Sequence, residues 1–60
     1  MTRIEHLIAS LLVATPAQVD ELVEEVTALR YDLTRDEAAQ IRRAVRNLTI
    51  ADARRVLAAL

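Results

Sequence analysis

A helix-start signature occurs four times in this 60-residue chain. In a capping box, a threonine hydroxyl accepts a hydrogen bond from the backbone N–H three residues later, where a glutamate or glutamine bonds back. The matches begin at Thr2, Thr15, Thr34 and Thr49, although the fourth has an aspartate in place of the longer acid. Pro16 follows Thr15 at the first helical position, where its missing N–H costs nothing. The sequence therefore predicts four helix starts.

The apolar residues after each start recur every three or four positions, which is the spacing of an amphipathic helix. No segment alternates with the period of two that is typical of a strand. We predict an all-α fold, a compact bundle of four short helices that forms a single domain over 1–60. The predicted helices cover about 3–13, 16–31, 35–47 and 50–60. The apolar face assigned to the fourth helix consists of Ile50, Ala53, Val56, Leu57 and Leu60.

Composition excludes several classes of protein. The chain has no cysteine, which excludes a disulfide framework and a zinc site built from cysteines. It has no glycine, which excludes a glycine-rich phosphate-binding loop. No apolar run approaches the roughly 20 residues that span a bilayer, and the first residues lack the layout of a signal peptide. We expect a cytoplasmic protein that uses no cofactor and no metal.

Charge is unevenly divided along the chain. Residues 1–32 contain six acids and two arginines, a net charge of −4, whereas residues 33–60 contain six arginines and three acids, a net charge of +3. The whole chain carries −1, so it is not a general attractant for nucleic acid or membrane. The two halves can attract each other, within one chain or between two chains.

Small size predicts that this fold needs a partner. A domain of this length buries only about 60% of the surface that its unfolded chain exposes, and Tyr31 is its one aromatic residue. The first helix is apolar on nearly every side, and three short neighbouring helices cannot cover all of that apolar surface. We therefore predict a protein–protein interaction module that homodimerises or docks onto a partner protein. The predicted interface consists of Ile4, Leu7, Ile8, Leu11, Leu12 and Val13.

Arginines dominate the second half and leave two interpretations open. They can pair with the acids of the second helix, in the same chain or another, because a guanidinium forms forked bonds with a carboxylate. Alternatively, the third and fourth helices form a helix-turn-helix, and the protein is a small DNA-binding transcriptional regulator or antitoxin-like protein. The fourth helix begins with Ile50, Ala51 and Asp52, which are poor readers of base edges. The arginines concerned are Arg35, Arg42, Arg43, Arg46, Arg54 and Arg55.

Candidate catalytic groups are sparse. The acids of the second helix are expected on its solvent face, and no histidine accompanies them as a metal site on a helical bundle requires. His6 and Ser10 lie one turn apart, but a regular helix has no free N–H groups to stabilise an oxyanion. We predict that the protein is not an enzyme, that His6 is an ordinary residue at the rim of the interface, and that Tyr31 is a half-buried interface side chain.

Overall fold

The computed structural model describes residues 2–60, which form four α-helices joined by short connections. The helices are α1 (Arg3–Leu12), α2 (Val19–Leu29), α3 (Arg35–Ala44) and α4 (Ile50–Ala59). No strand occurs in this range, so the predicted all-α bundle of four helices is confirmed. Met1, which the predicted domain includes, lies outside the described residues.

Threonine caps set the helix starts at the predicted positions. At Thr34 both halves of the capping box form: the Glu37 N–H donates to the Thr34 hydroxyl at 3.2 Å, and the Thr34 N–H donates to the Glu37 carboxylate at 2.9 Å. Thr2 and Thr49 accept from the N–H three residues on, each at 3.2 Å. At Thr15 the backbone N–H instead donates to the Gln18 side chain at 3.0 Å. Local hydrogen bonds therefore explain where the helices begin.

Tight 3₁₀ turns flank three of the helix ends. The predicted second helix divides into a 3₁₀ turn at Pro16–Gln18, α2, and a second turn at Arg30–Asp32, and α3 continues into a third at Val45–Asn47. Helices often end on a residue with positive φ, usually a glycine, but this chain has no glycine. None of residues 2–60 has a positive φ. The chain instead tightens its last turns, which also pairs some of the terminal carbonyls.

The core is aliphatic and receives side chains from all four helices. Within residues 2–60, no polar or charged residue is buried. α1 packs on α2 and α3, whereas α2 packs mainly on α4, so the four helices close around one cluster. The buried residues are Leu7, Leu11, Val19, Leu22, Val26, Ile41, Ala44, Val45, Val56 and Ala59.

A hydrogen bond from Asn47 links the end of α1 to the turn that follows α3. Its side-chain amide donates a hydrogen bond to the carbonyl oxygen of Leu12, which lies in the last turn of α1. Carbonyls in that position have no partner within their own helix, so the bond satisfies one of them. The connection brings residues 12 and 47 to the same end of the bundle.

Candidate interaction surface

The structure separates the six predicted interface residues of α1 into two groups. Leu7 and Leu11 are fully buried, so within one chain they belong to the core and offer no surface to a partner. Ile4 and Ile8 are half-buried, and Ile8 packs against the core cluster. Leu12 and Val13, by contrast, expose 52% and 76% of their surface. The large exposed apolar side chains of this region are therefore Leu12 and Val13, at the C-terminal end of α1.

Two further exposed apolar side chains lie on α4. Ile50 is 75% exposed and Leu57 is 38% exposed, although the sequence pattern assigned both to the same face as buried Val56. That assignment is wrong for Ile50. At 100° per residue, Ile50 and Leu57 fall within about 20° of each other and about 100° or more from Val56. α4 therefore carries two apolar stripes, and only one of them faces the core.

Exposed residues of α4 together form a second face, which we term the outer face of α4. It contains exposed Ala51, Arg54 and Ala58 beside Ile50 and Leu57. Arg54 lies at the centre of this face, because it is three or four residues from each of the other members, which is the spacing of neighbours on a helix surface. The only charged side chain on this face is Arg54, and two of its members are alanines that allow close approach.

Ile50 lies near the exposed end of α1. Asn47 contacts the Leu12 carbonyl, and Ile50 follows Asn47 by three residues, which span at most about 11 Å. Leu12, Val13 and Ile50 thus lie at one end of the bundle, and we term them the end patch. Contiguous exposed apolar surface, rather than single exposed side chains, is what marks an interaction site.

The arginines form one close ion pair with α2. Arg55 donates to the Asp20 carboxylate of α2, and it lies 3.9 Å from Asp52 on its own helix. The hydrogen bond from Arg55 to Asp20, with the attraction of that carboxylate, raises the pKa of Arg55 above its ordinary value. The predicted pairing between basic and acidic halves occurs here within a single chain.

The other five predicted arginines are exposed and have no acidic partner within the part of the chain that the structure describes. Among residues 2–60, no carboxylate oxygen lies within 4.0 Å of any of their guanidinium nitrogens. Four of them lie on α3 and its following turn, and one lies on the outer face of α4. They are Arg35, Arg42, Arg43, Arg46 and Arg54.

Acidic side chains occupy the solvent side of α2, as predicted. Asp20, Glu21 and Glu24 are exposed, and Glu25 is half-buried. In the described part of the chain, no cluster of three or more histidine and carboxylate side chains is arranged to hold a metal ion. Apart from Asp20, these acids have no arginine within ion-pair distance in the same range.

One small cleft opens between the start of α1 and the end of α2. Its volume is about 260 Å³, and Thr2, Arg3, His6, Glu25 and Leu29 line it. The lining includes an imidazole from His6 and a carboxylate from Glu25.

His6 and Tyr31 are both exposed. Within residues 2–60, no hydrogen bond joins His6 to Ser10, which is half-buried on the next turn. Tyr31 is 84% exposed in the single chain, so the predicted half-burial of its ring would require a partner. The Arg30 guanidinium instead stacks 4.7 Å from the ring centre and donates to the phenolic oxygen at 2.7 Å.

Protein-family models, curated protein sequences and solved structures were each compared with the chain, and none matches it. Among the helices described over residues 2–60, none has both the length and the apolar character needed to cross a membrane.

Proposed function

We propose that this protein is a non-enzymatic helical interaction module that homodimerises or docks onto a partner protein through exposed apolar side chains. The observation that supports this most directly is the end patch, where three large aliphatic residues from two helices lie in water. The proposal keeps Leu12 and Val13 from the predicted α1 surface and adds Ile50. It places the protein in the cytoplasm, as the sequence led us to expect.

The limited core gives a physical reason for such a partner. The chain exposes 4258 Å², and an unfolded chain of 6.7 kDa exposes about 9,700 Å². Folding therefore buries roughly 56% of the surface, somewhat below the 60% typical of a domain of this size. Covering the end patch adds apolar burial that the single chain cannot supply, at about 25 cal/mol per Å².

A photo-crosslinking amino acid at position 13 tests this function in the cells that make the protein. We expect covalent adducts with protein, either a second copy or another chain, when the probe replaces Val13. The matched control places the same probe at Ala28, which is exposed on the solvent side of α2. Equal adduct yields at positions 13 and 28, or no adducts at either, would overturn the proposal.

DNA binding is the second candidate, and the unpaired arginines favour it. Arg42, Arg43 and Arg46 are exposed, and together with Arg54 they lie on two helices joined by a short turn. The side chain of Asp52, which would repel a phosphate, points toward Arg55 and is only 20% exposed. This arrangement resembles the basic surface of a helix-turn-helix, although an isoleucine occupies the first position of the second helix.

A salt series separates the two candidates. A DNA-binding protein that neutralises three or four phosphates should lose affinity for a random duplex roughly in proportion to the third or fourth power of salt concentration. Fluorescence anisotropy of a labelled duplex between 20 and 200 mM salt measures that slope. The variant Arg42→Gln/Arg46→Gln should reduce it by about two. Failure to bind the duplex at 20 mM salt removes this candidate.

A further inference from the structure

We propose that the end patch binds a short amphipathic helix of another protein, which is aliphatic on the face that meets the patch and acidic along its edges. This inference rests on the proposed function and names the chemistry of the partner. Two features of residues 2–60 support it: unpaired arginines border the patch, and the chain's own acidic helix has no large exposed aliphatic side chain.

One unpaired arginine lies in the turn between the two helices that supply the patch. Arg46 directly precedes Asn47, whose side chain bonds the Leu12 carbonyl, and neighbouring Cα atoms are about 3.8 Å apart. The turn that contains both residues, Val45–Asn47, packs on α1 and on α4. Arg46 is exposed, and no described carboxylate lies within ion-pair distance of it. A positive charge therefore lies at the border of the patch.

A second unpaired arginine borders the patch on α4. Arg54 follows Ile50 by four residues, about one turn of the helix, and the directions of the two side chains differ by about 40°. Leu57 lies a further three residues on, within about 60° of Arg54, and is 38% exposed. These three residues extend the patch along the outer face of α4, with the guanidinium between two apolar side chains.

The acids near this end of the bundle lie on other sides of their helices. Arg55 bonds Asp20 of α2 and lies 3.9 Å from Asp52. Both Arg55 and Asp52 lie about 140–160° around α4 from Ile50. Glu21 lies about 100–160° from the buried residues of α2, so it faces solvent. The charge that borders the patch is therefore positive, and it is complementary to carboxylates.

This charge pattern disfavours a second copy as the partner. If the end patches of two copies met across a twofold axis, the arginines of one copy would approach the arginines of the other, and like charges repel. The chain's own acidic helix is also unsuited to the patch, because none of the large exposed apolar side chains in the described range lies on α2. The partner we infer combines on one segment what this chain keeps apart, aliphatic side chains beside carboxylates.

An amphipathic helix supplies that combination in few residues. Its apolar side chains recur at steps of three and four residues, and acids at the flanking positions lie along both edges of the apolar stripe. Two or three leucines in such a stripe match the three aliphatic side chains of the end patch. The arginines at the border form forked hydrogen bonds with carboxylates, while their aliphatic stems add to the apolar contact.

A phosphate backbone fits the patch less well than such a helix. Phosphates would engage Arg46 and Arg54, but they would leave Leu12, Val13 and Ile50 without apolar contacts. The exposed aliphatic side chains therefore favour a protein partner over a nucleic acid at this end of the bundle.

Three synthetic peptides test the chemistry of the partner. Two are 16-residue amphipathic helices with leucines on one face, and they carry either glutamates or lysines along the edges. In NMR titrations of the ¹⁵N-labelled full chain at 50 mM salt, the glutamate peptide should shift the amides of Val13, Arg46 and Ile50. It should bind at least tenfold more tightly than the lysine peptide. The third peptide keeps the glutamates but replaces the leucines by serines, and it should lose most of the binding.

Each titration can overturn one part of the inference. Equal or tighter binding of the lysine peptide overturns the acidic partner. Undiminished binding of the serine peptide overturns the apolar contact. If the glutamate peptide shifts no amide of the end patch at 2 mM, the patch is not the site.

Matched arginine variants locate the contact. Arg46→Glu and Arg54→Glu should each weaken binding of the glutamate peptide about fivefold, as the loss of one partly exposed ion pair does. The control is Arg35→Glu, which should change binding less than twofold. Arg35 is exposed and unpaired like Arg46, but it begins α3, roughly 16 Å along the helix from Arg46. Equal weakening by all three variants would indicate general attraction by charge and overturn the location. Circular dichroism at 222 nm verifies that the variants stay folded.

Crosslinks from position 13 separate this inference from the proposed function. Mass spectrometry of the adducts should identify a segment of another protein that contains both aliphatic and acidic residues, and Arg46→Glu should lower the adduct yield. Adducts between two copies of this chain, or with a segment that lacks acids, overturn the acidic partner and leave the proposed function standing. The lack of any adduct specific to position 13 overturns both.

Discussion

Leu11 and Leu12 are adjacent on α1, yet the structure gives them opposite roles, and alanine substitutions can measure the difference. Leu11 is fully buried among aliphatic side chains, whereas Leu12 exposes 52% of its surface. Both positions are helical, and both substitutions remove the same three carbon atoms. The comparison therefore holds the chemistry and the secondary structure constant and varies only the surroundings.

Leu11→Ala should destabilise the chain severely. Removing a buried leucine side chain leaves a cavity and costs about 2–5 kcal/mol. A 60-residue domain has a total stability of roughly 3–9 kcal/mol, so about 3 kcal/mol is a third of it or more. At about 4–8 °C per kcal/mol for a domain of this size, the melting temperature should fall by roughly 12–24 °C. Leu12→Ala should cost less than about 1 kcal/mol, because half of its apolar surface is already in water.

Circular dichroism melts and guanidinium titrations at 222 nm provide the measurement, and each variant is recorded at 5 and 50 µM chain. The two concentrations distinguish loss of core packing, which is independent of dilution, from loss of a dimer contact, which is not. Equal destabilisation by the two substitutions at 5 µM would show that Leu12 is as buried as Leu11. That result would refute the division of α1 into a core face and an exposed end.

Three further variants test local contacts by the same titrations. Thr34→Ala removes a complete capping box and should lower the free energy of unfolding by about 1 kcal/mol. Thr27→Ala, in the interior of α2, should leave the free energy of unfolding unchanged or raise it by up to about 0.5 kcal/mol. A larger loss for Thr27→Ala than for Thr34→Ala would contradict the capping argument. Asn47→Asp replaces the amide donor by an acceptor that faces the Leu12 carbonyl, and it should lower the free energy of unfolding by about 1 kcal/mol or more. Unchanged stability would show that the hydrogen bond from Asn47 to Leu12 is not formed. Arg55→Gln should destabilise the chain slightly at 20 mM salt and not at 0.5 M, because the ion pair with Asp20 is exposed and salt screens it. A loss of stability that persists in high salt would indicate that Arg55 contributes through packing rather than through its charge.

Helix starts were predictable because their causes are local. The hydroxyl of Thr34 and the carboxylate of Glu37 are three residues apart in sequence, and their mutual bonds need no other part of the fold. The conversion of the last turn of the third helix into a 3₁₀ turn was not predicted. Hydrogen bonds between residues close in sequence therefore predict the start of a helix more accurately than the conformation of its last turn.

Burial was harder to predict because it depends on which neighbour each helix meets. The pattern of α4 placed Ile50 with Val56, since both recur at helical spacing, but α2 packs against only one of the two stripes. Similarly, α1 is apolar on most sides, and only its neighbours decide that Leu7 is covered and Val13 is not. The charge division between the halves did indicate attraction between them, and Arg55 with Asp20 is one instance.

The exposed apolar stripe of α4, formed by Ile50 and Leu57, bears on both the stability of the single chain and its binding to a partner. A helix that buries one face against α2 gains most of its stability there, so Val56 and Ala59 serve the fold. Ile50 and Leu57 contribute little to the isolated chain, and their apolar surface is useful only when something covers it. If a partner binds with a dissociation constant near 1 µM, then 100 µM partner gives a stabilisation on the order of 2.7 kcal/mol. That gain would equal the loss of a core leucine side chain, so such an interface would stabilise this small chain as much as one core residue does.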